Sequence, residues 1–222
     1  MKYDLIIFDY DGVVADSEVL SSTILAEQLT ASGMPTTLED VLARYVGRRW
    51  RDNRADVEAR HGKACPDDFH VGFGQACRAE AERSLLPVAG LRDFLAARPE
   101  RRCIASSSNL EWLRLGLDRF GLSDAFEPHL YSAAHHVQRG KPHPDVFLFS
   151  AGDMGVDPSR VLVIEDSEAG VQAGVAAGMT VIGLLAGGHV RAGHGERLLA
   201  QGARHVAADY AAVAAFIDDA QA

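Results

Sequence analysis

Six short apolar, β-rich runs punctuate the chain, at 5–8, 102–105, 129–131, 161–164, 180–184 and near 205–207. Each predicts a strand. Helical patterns separate them at 90–97, 110–120, 145–152 and 167–176. Strands that are apolar throughout and alternate with helices predict an α/β fold, a doubly wound parallel sheet covered on both faces. In such a sheet, chemistry gathers beyond the carboxyl ends of the strands. Asp9, Ser106, Lys141, Glu165 and Asp166 all fall at or shortly after such ends.

The alternation breaks between residues 16 and 84. There the pattern is helical, over 18–31, 38–45, 50–60 and 67–84, with Gly33, Pro35, Gly47, Gly62 and Pro66 at the joints. Ser17 with Glu18 predicts a helix start, and Thr37-Leu38-Glu39-Asp40 has capping-box spacing. This places a small α-helical cap domain at 16–85 and an α/β core domain at 1–15 plus 86–222, with hinges near 14–16 and 85–87. A helical insert that follows the first strand's loop is positioned to act as a lid. Residues 207–222 read as a final surface helix, and no internal repeat is present.

Composition narrows the setting. With 222 residues, 47% of them hydrophobic, the chain is long enough for a real core. A formal charge of -9 argues against nucleic acid or an anionic membrane as a partner. No apolar run approaches the roughly 20 residues that span a bilayer, and the start lacks a secretory pattern. Cys65, Cys77 and Cys103 are odd in number and form no ligand-spaced motif, so unpaired thiols and a cytoplasmic location are expected. The sequence leaves the oligomeric state open, and a monomer is consistent with it.

Asp9 and Asp11 stand two residues apart where a buried strand meets the Gly12 turn. Desolvating them together is unfavourable unless a cation neutralises the pair or one carboxylate holds a proton. A carboxylate is a competent nucleophile toward phosphorus because it is anionic at neutral pH, which suits Asp9. A neighbouring acid that protonates the leaving alkoxide and then activates water suits Asp11. Turn capping is the plainer role open to both. Gly12 lets the backbone bend so that both carboxylates and the Asp11 carbonyl reach a metal. Glu165 and Asp166, hard oxygen donors at another strand end, group with Asp9 to suit Mg²⁺. Ser106 and the N–H of Ser107 precede a helix start and form a phosphate cradle, whereas Asn109 suits capping. Lys141, followed by Pro142 in a loop expected to be extended, can stabilise phosphoryl oxygens.

Four blocks in order make the chain resemble the haloacid dehalogenase-like superfamily, in the α-helical-cap branch of β-phosphoglucomutase-like enzymes and sugar-phosphate phosphatases. They are Phe8-Asp9-Tyr10-Asp11-Gly12-Val13-Val14, Ala105-Ser106-Ser107-Ser108-Asn109, Lys141-Pro142-His143-Pro144-Asp145, and Ile164-Glu165-Asp166-Ser167. The resemblance spans essentially the whole chain. It implies a Mg²⁺-dependent phosphatase that hydrolyses a small phosphorylated metabolite, a sugar or sugar-acid phosphate, through an aspartyl-phosphate. It further implies direct metal ligation by Asp166, and by Glu165 directly or through water. A sugar phosphomutase is the alternative activity, and a non-catalytic ligand-binding regulator is a third reading.

Departures discriminate among these. The superfamily's dehalogenases lack the second aspartate that is present here as Asp11. Phosphonate hydrolysis in related enzymes uses a cap lysine and a small residue in place of Asp11, and Lys63, the cap's one lysine, lacks the matching context. The mutase pattern carries a cap histidine and arginine where this chain has Ser21 and Trp50. Hydrolysis is therefore expected over phosphoryl transfer to a second hydroxyl. Arg48, Arg49 and Arg51 read as a solvated helix face, with contact to an acidic or hydroxylated substrate as the alternative, Trp50 as lid packing, and the His135–His136 and His189/His194 pairs as non-ligands. A place for His189 at the mouth of the site, as a loop residue after Gly187–Gly188, is left open.

Overall fold

The computed structural model describes residues 2–46 and 50–220, apart from the side chains of Arg51 and Asp52. Arg48, Arg49 and the Arg51 side chain, expected as a solvated helix face, lie outside this description. Six parallel strands, β1 (Leu5–Phe8), β2 (Arg101–Ser106), β3 (Leu130–Ser132), β4 (Val161–Glu165), β5 (Thr180–Leu184) and β6 (His205–Ala207), form one sheet in the order β3-β2-β1-β4-β5-β6.

The period of two along each strand splits the core into two layers. Ile6, Phe8, Ile104, Leu162, Ile164 and Ile182 face one side. They meet α5 (Leu91–Ala97), α6 (Leu110–Phe120) and α12 (Tyr210–Asp219) through side chains such as Phe94, Leu117 and Val213. Leu5, Ile7, Cys103, Val161, Val163 and Val181 face the other. Those pack on α9 (Asp145–Asp153) and α10 (Glu168–Ala176) through Phe147, Ala151 and Val171. β1 is buried along its whole length, as a strand covered on both faces must be.

Between β1 and β2 run α1 (Glu18–Ala31), α2 (Leu38–Arg44), α3 (Trp50–His61) and α4 (Phe69–Ser84). Leu25, Leu29, Met34, Val41, Val57 and Phe69 give them a core of their own. Thr37 and Asp40 close the expected capping box at α2. Ser17 precedes α1 but makes no cap hydrogen bond, because its hydroxyl donates to Asp11 Oδ1 at 2.6 Å. The two passages joining these helices to the sheet lie side by side. Asp16 N–H donates to Leu86 O, Val88 N–H to Val14 O, and Ala15 bridges to Pro87.

Four short elements escaped the apolar pattern: α7 (Ser123–Phe126), α8 (Ala133–His136), α11 (His194–Ala200) and a 3-10 turn at Pro158–Arg160. Each is too brief or too polar to set up a helical repeat. The C-terminal segment holds β6 before its helix, and α12 begins at Tyr210, with Asp209 capping it through a bond from Ala212 N–H. No helix among the described residues is long and apolar enough to cross a membrane.

Candidate active site

The strand order reverses at β1 and β4, which are neighbours in the sheet although α1–α9, β2 and β3 separate them in the chain. Loops leaving adjacent strands in opposite directions open a crevice there. Asp9 follows β1, and Asp166 follows Glu165, the last residue of β4. The carboxylates of Asp9, Glu165 and Asp166 are buried and bring oxygens within 4.8 Å of one another. Lys141 joins them from the loop before α9, with a side chain only 2% exposed. Its Nζ donates to Asp9 Oδ1 and to Glu165 Oε1, both at 2.6 Å. The Lys141–Pro142 peptide bond is cis.

Three acids around one lysine leave an electrostatic imbalance. Burial, reinforced by Glu165, pushes the carboxyl groups of Asp9 and Asp166 well above the usual carboxylate range, and Lys141 only partly opposes this. Burial alone would lower the Lys141 ammonium, but Asp9 and Glu165 beside it overcome that and raise it. Glu165 is satisfied on both oxygens. Oε1 takes Lys141, and Oε2 accepts from Asp166 N–H, Ser167 N–H and the Ser167 hydroxyl at the start of α10. Asp166 Oδ2, by contrast, is buried with no hydrogen-bond partner. His189 Nε2 comes within 3.1 Å of it, out of line for a hydrogen bond. An orphaned carboxylate oxygen facing other acids is the donor that a hard divalent cation satisfies, so Asp9 and Asp166 fit such an ion.

Gly12 makes this approach feasible. Its φ is +77°, and a Cβ there would fall 1.6 Å from Asp166 Oδ2. Behind Asp166, His194 Nε2–H donates to the Asp166 carbonyl at 2.6 Å while Arg197 donates to its Nδ1. Burial holds both His189 and His194 below the usual imidazole range. His189 is buried behind Asp166 rather than standing at the mouth, the place left open for it. His135 and His136 serve Ser132 of β3.

Asp11 is separate from the acid cluster. Its Oδ1 accepts from Ser17 Oγ at 2.6 Å and from Trp112 Nε1 at 2.9 Å, and Oδ2 accepts from Ser108 Oγ at 2.6 Å. The three donors hold this carboxylate from the passage into α1 and from the start of α6, and it is not grouped with the oxygens of Asp9, Glu165 and Asp166. Trp112 and Ser108 were not singled out as partners of Asp11. Trp112 stands in the first turn of α6, where an aromatic with a donating tip was the available signal. Asn109 caps that helix through Trp112 N–H, as its type suggested.

A cavity of about 450 Å³ opens over these groups. Asp9, Asp11, Ser106, Ser107 and Lys141 line its floor, with Trp112 at the side. Ser106 Oγ accepts from Ser108 N–H at 3.0 Å, which leaves its own proton to donate. The helical block supplies the roof, including Leu25, Tyr45, Trp50, Asn53 and Phe73. Trp50 stacks on Phe69 at 4.8 Å between ring centroids, so it both packs the block and walls the cavity. Lys63 does not line this cavity, since it donates to Ser32 O at 2.7 Å. The three cysteines are free and buried.

Residues 3–178 match the family model for haloacid dehalogenase-like hydrolases. Fructose-1-phosphate phosphatase of Escherichia coli is 30% identical over 183 residues, covering 82% of this chain and 96% of that one. The 6-phosphogluconate phosphatase of the same organism is 26% identical over 190 residues, covering 85% of each. A crystal structure of a conserved haloacid dehalogenase-like protein of unknown function from Agrobacterium tumefaciens superposes with a TM-score of 0.88. It is 34% identical and covers 99% of this chain and 100% of that one. With two carboxylate-bearing strand ends, a buried lysine and a helical roof over one crevice, the chain belongs to the haloacid dehalogenase-like hydrolases.

Proposed function

We propose that the protein is a Mg²⁺-dependent phosphomonoester hydrolase that acts on a small phosphorylated sugar or sugar acid. The observation that carries this reading is the grouping of Asp9, Glu165 and Asp166 around Lys141, with one oxygen of Asp166 unsatisfied. Such a cluster is costly unless it handles a cation and an anion together. The names of the related phosphatases support the same chemistry.

Asp9 attacks phosphorus, forming an acyl-phosphate bond while the bond to the leaving oxygen breaks. Ser106 and Ser107 hold phosphoryl oxygens from the end of β2. Lys141 stays charged across the physiological range and balances those oxygens as charge redistributes. Glu165 anchors Lys141 and would add to the metal's oxygen shell directly or through water. Asp9 and Asp166 would hold Mg²⁺, which when bound would supply positive charge that shields the attacking carboxylate from the phosphoryl group. Asp11 gives a proton to the leaving alkoxide, then takes one from the water that opens the aspartyl-phosphate. Ser17, at the passage into α1, ties the Asp11 position to that of the helical block. Residues 16–85 act as the cap, which hinges at the paired passages near Ala15 and Pro87.

Asp9→Asn tests the assignment. We expect phosphate release from 4-nitrophenyl phosphate to fall by at least about a thousandfold. Turnover within tenfold of the parent protein would exclude Asp9 as the nucleophile. A mutase is disfavoured because Ser21 and Trp50 stand in the cavity where that activity uses a histidine and an arginine.

A further inference from the structure

Three donors hold the Asp11 carboxylate by both oxygens. Oδ1 takes Ser17 Oγ and, at 2.9 Å, Trp112 Nε1, and Oδ2 takes Ser108 Oγ. They come from the passage into α1, from α6 and from the loop between β2 and α6. The three are not equivalent. A serine hydroxyl rotates and can accept as well as donate, whereas an indole N–H only donates, along the line its ring sets. Trp112 therefore fixes one direction for Oδ1 that the serines alone would leave adjustable.

Helix α6 sets where that ring stands. Asn109 Oδ1 accepts from Trp112 N–H at 2.9 Å and so fixes the first turn, which carries the indole. Gly116 lies one turn further along the same face. A Cβ there would fall 1.8 Å from Tyr10 Oη, so the glycine lets α6 close on the residue between Asp9 and Asp11. That close approach brings Trp112 within reach of Asp11. Trp112 and Ser108 also border the cavity beside Asp9, Asp11 and Ser106. A phenylalanine would fill the same space in the first turn; the N–H adds direction.

We propose that Trp112, with Ser108, is a positioning residue for Asp11, turning its carboxyl group toward the leaving oxygen of the substrate. This rests on the phosphatase reading above and adds two residues to which that reading gives no part. As Asp9 bonds to phosphorus and the bond from phosphorus to the leaving oxygen breaks, the Asp11 proton passes to that oxygen and Asp11 is left as a carboxylate. A proton donor must lie within hydrogen-bond reach of its acceptor, and a misplacement of about 1 Å costs roughly a hundredfold in rate. Trp112 and Ser108 act on this one transfer, through Asp11.

Leaving groups of unlike basicity test it, with Mg²⁺ present throughout. Phenyl phosphate releases a basic phenolate and needs the proton, whereas 2,4-dinitrophenyl phosphate releases an ion that is stable without one. Their kcat/KM values cover the steps through departure of the leaving group and are blind to later hydrolysis of the aspartyl-phosphate. Trp112→Phe keeps an aromatic ring and deletes the N–H. It should lower kcat/KM for phenyl phosphate at least about tenfold and for the dinitrophenyl ester less than about threefold. Ser108→Ala should show the same inequality, and it decides if Trp112→Phe does not fold. An equal fall for both esters, the mark of lost packing, overturns the inference, as does no fall for either. Asp11→Asn separates this outcome from the reading beneath it. If Asp11→Asn lowers phenyl phosphate turnover steeply and spares the dinitrophenyl ester while the other two variants do not, the positioning role alone fails. If Asp11→Asn treats both esters alike, Asp11 as the acid fails with it.

Discussion

Gly12 and Asp166 show how narrowly the site is drawn at the scale of single residues. The left-handed backbone at Gly12 costs an L-residue about 1–2 kcal/mol, and a methyl there would overlap an oxygen that has no room to move freely. Gly12→Ala should therefore lower stability by at least that amount and reduce kcat/KM about a hundredfold or more, because Asp166 must shift. Denaturant unfolding and aryl phosphate turnover measure the two effects, and near-parental turnover would show that Asp166 is not held by this contact. Asp9, Glu165, Asp166 and Lys141 were legible in the sequence because local spacing at strand ends marks them. Trp112 was not, because it acquires Asp11 as its acceptor only when distant segments fold together, and its type alone suits ordinary packing.

At the level of elements, long apolar repeats were read well and short polar ones were not. β1, β5, β6, α1 and α6 have the bounds their patterns suggested. α7, α8 and α11 have too few turns to repeat anything, and tertiary contacts sustain them instead. α10 carries a further constraint that its pattern hides. A Cβ at Gly170 would fall 1.7 Å from Glu165 Oε1, the oxygen that holds Lys141. Alanine favours a helix over glycine by about 1 kcal/mol, whereas overpacking a buried contact costs about 1–3 kcal/mol. The second effect should win. Gly170→Ala is expected to lower both stability and phosphate release, and a more stable, fully active variant in thermal unfolding and turnover assays would refute the argument.

The whole molecule should show the cost of its acid cluster as a dependence on pH. Asp9, Asp166 and Glu18 all have carboxyl groups raised above their unfolded values by burial and by one another. Their contribution is most favourable below the unfolded carboxylate range near pH 4 and is lost as pH rises through the raised values. Lys141 titrates far above this window and does not reverse the sign. A cation that binds the ionised forms offsets the loss, by about 2.7 kcal/mol at a hundredfold excess over Kd. For a chain of this size that is roughly 5–10 °C in Tm. The gap between Mg²⁺-loaded and chelated protein should widen from pH 5 to pH 8 in thermal scans. Equal melting in both conditions at pH 8 would argue against a metal at these acids.

The chain has two tryptophans, Trp50 and Trp112. One belongs to the helical block and the other to the sheet's own layer, yet both border a single cavity. Tryptophan emission from the unlabelled protein, excited selectively over tyrosine, therefore arises wholly beside the place where ligands sit. Titrating phosphate or a polyol should shift its intensity or colour, and Trp112→Phe would separate the roof's share of the signal from the floor's.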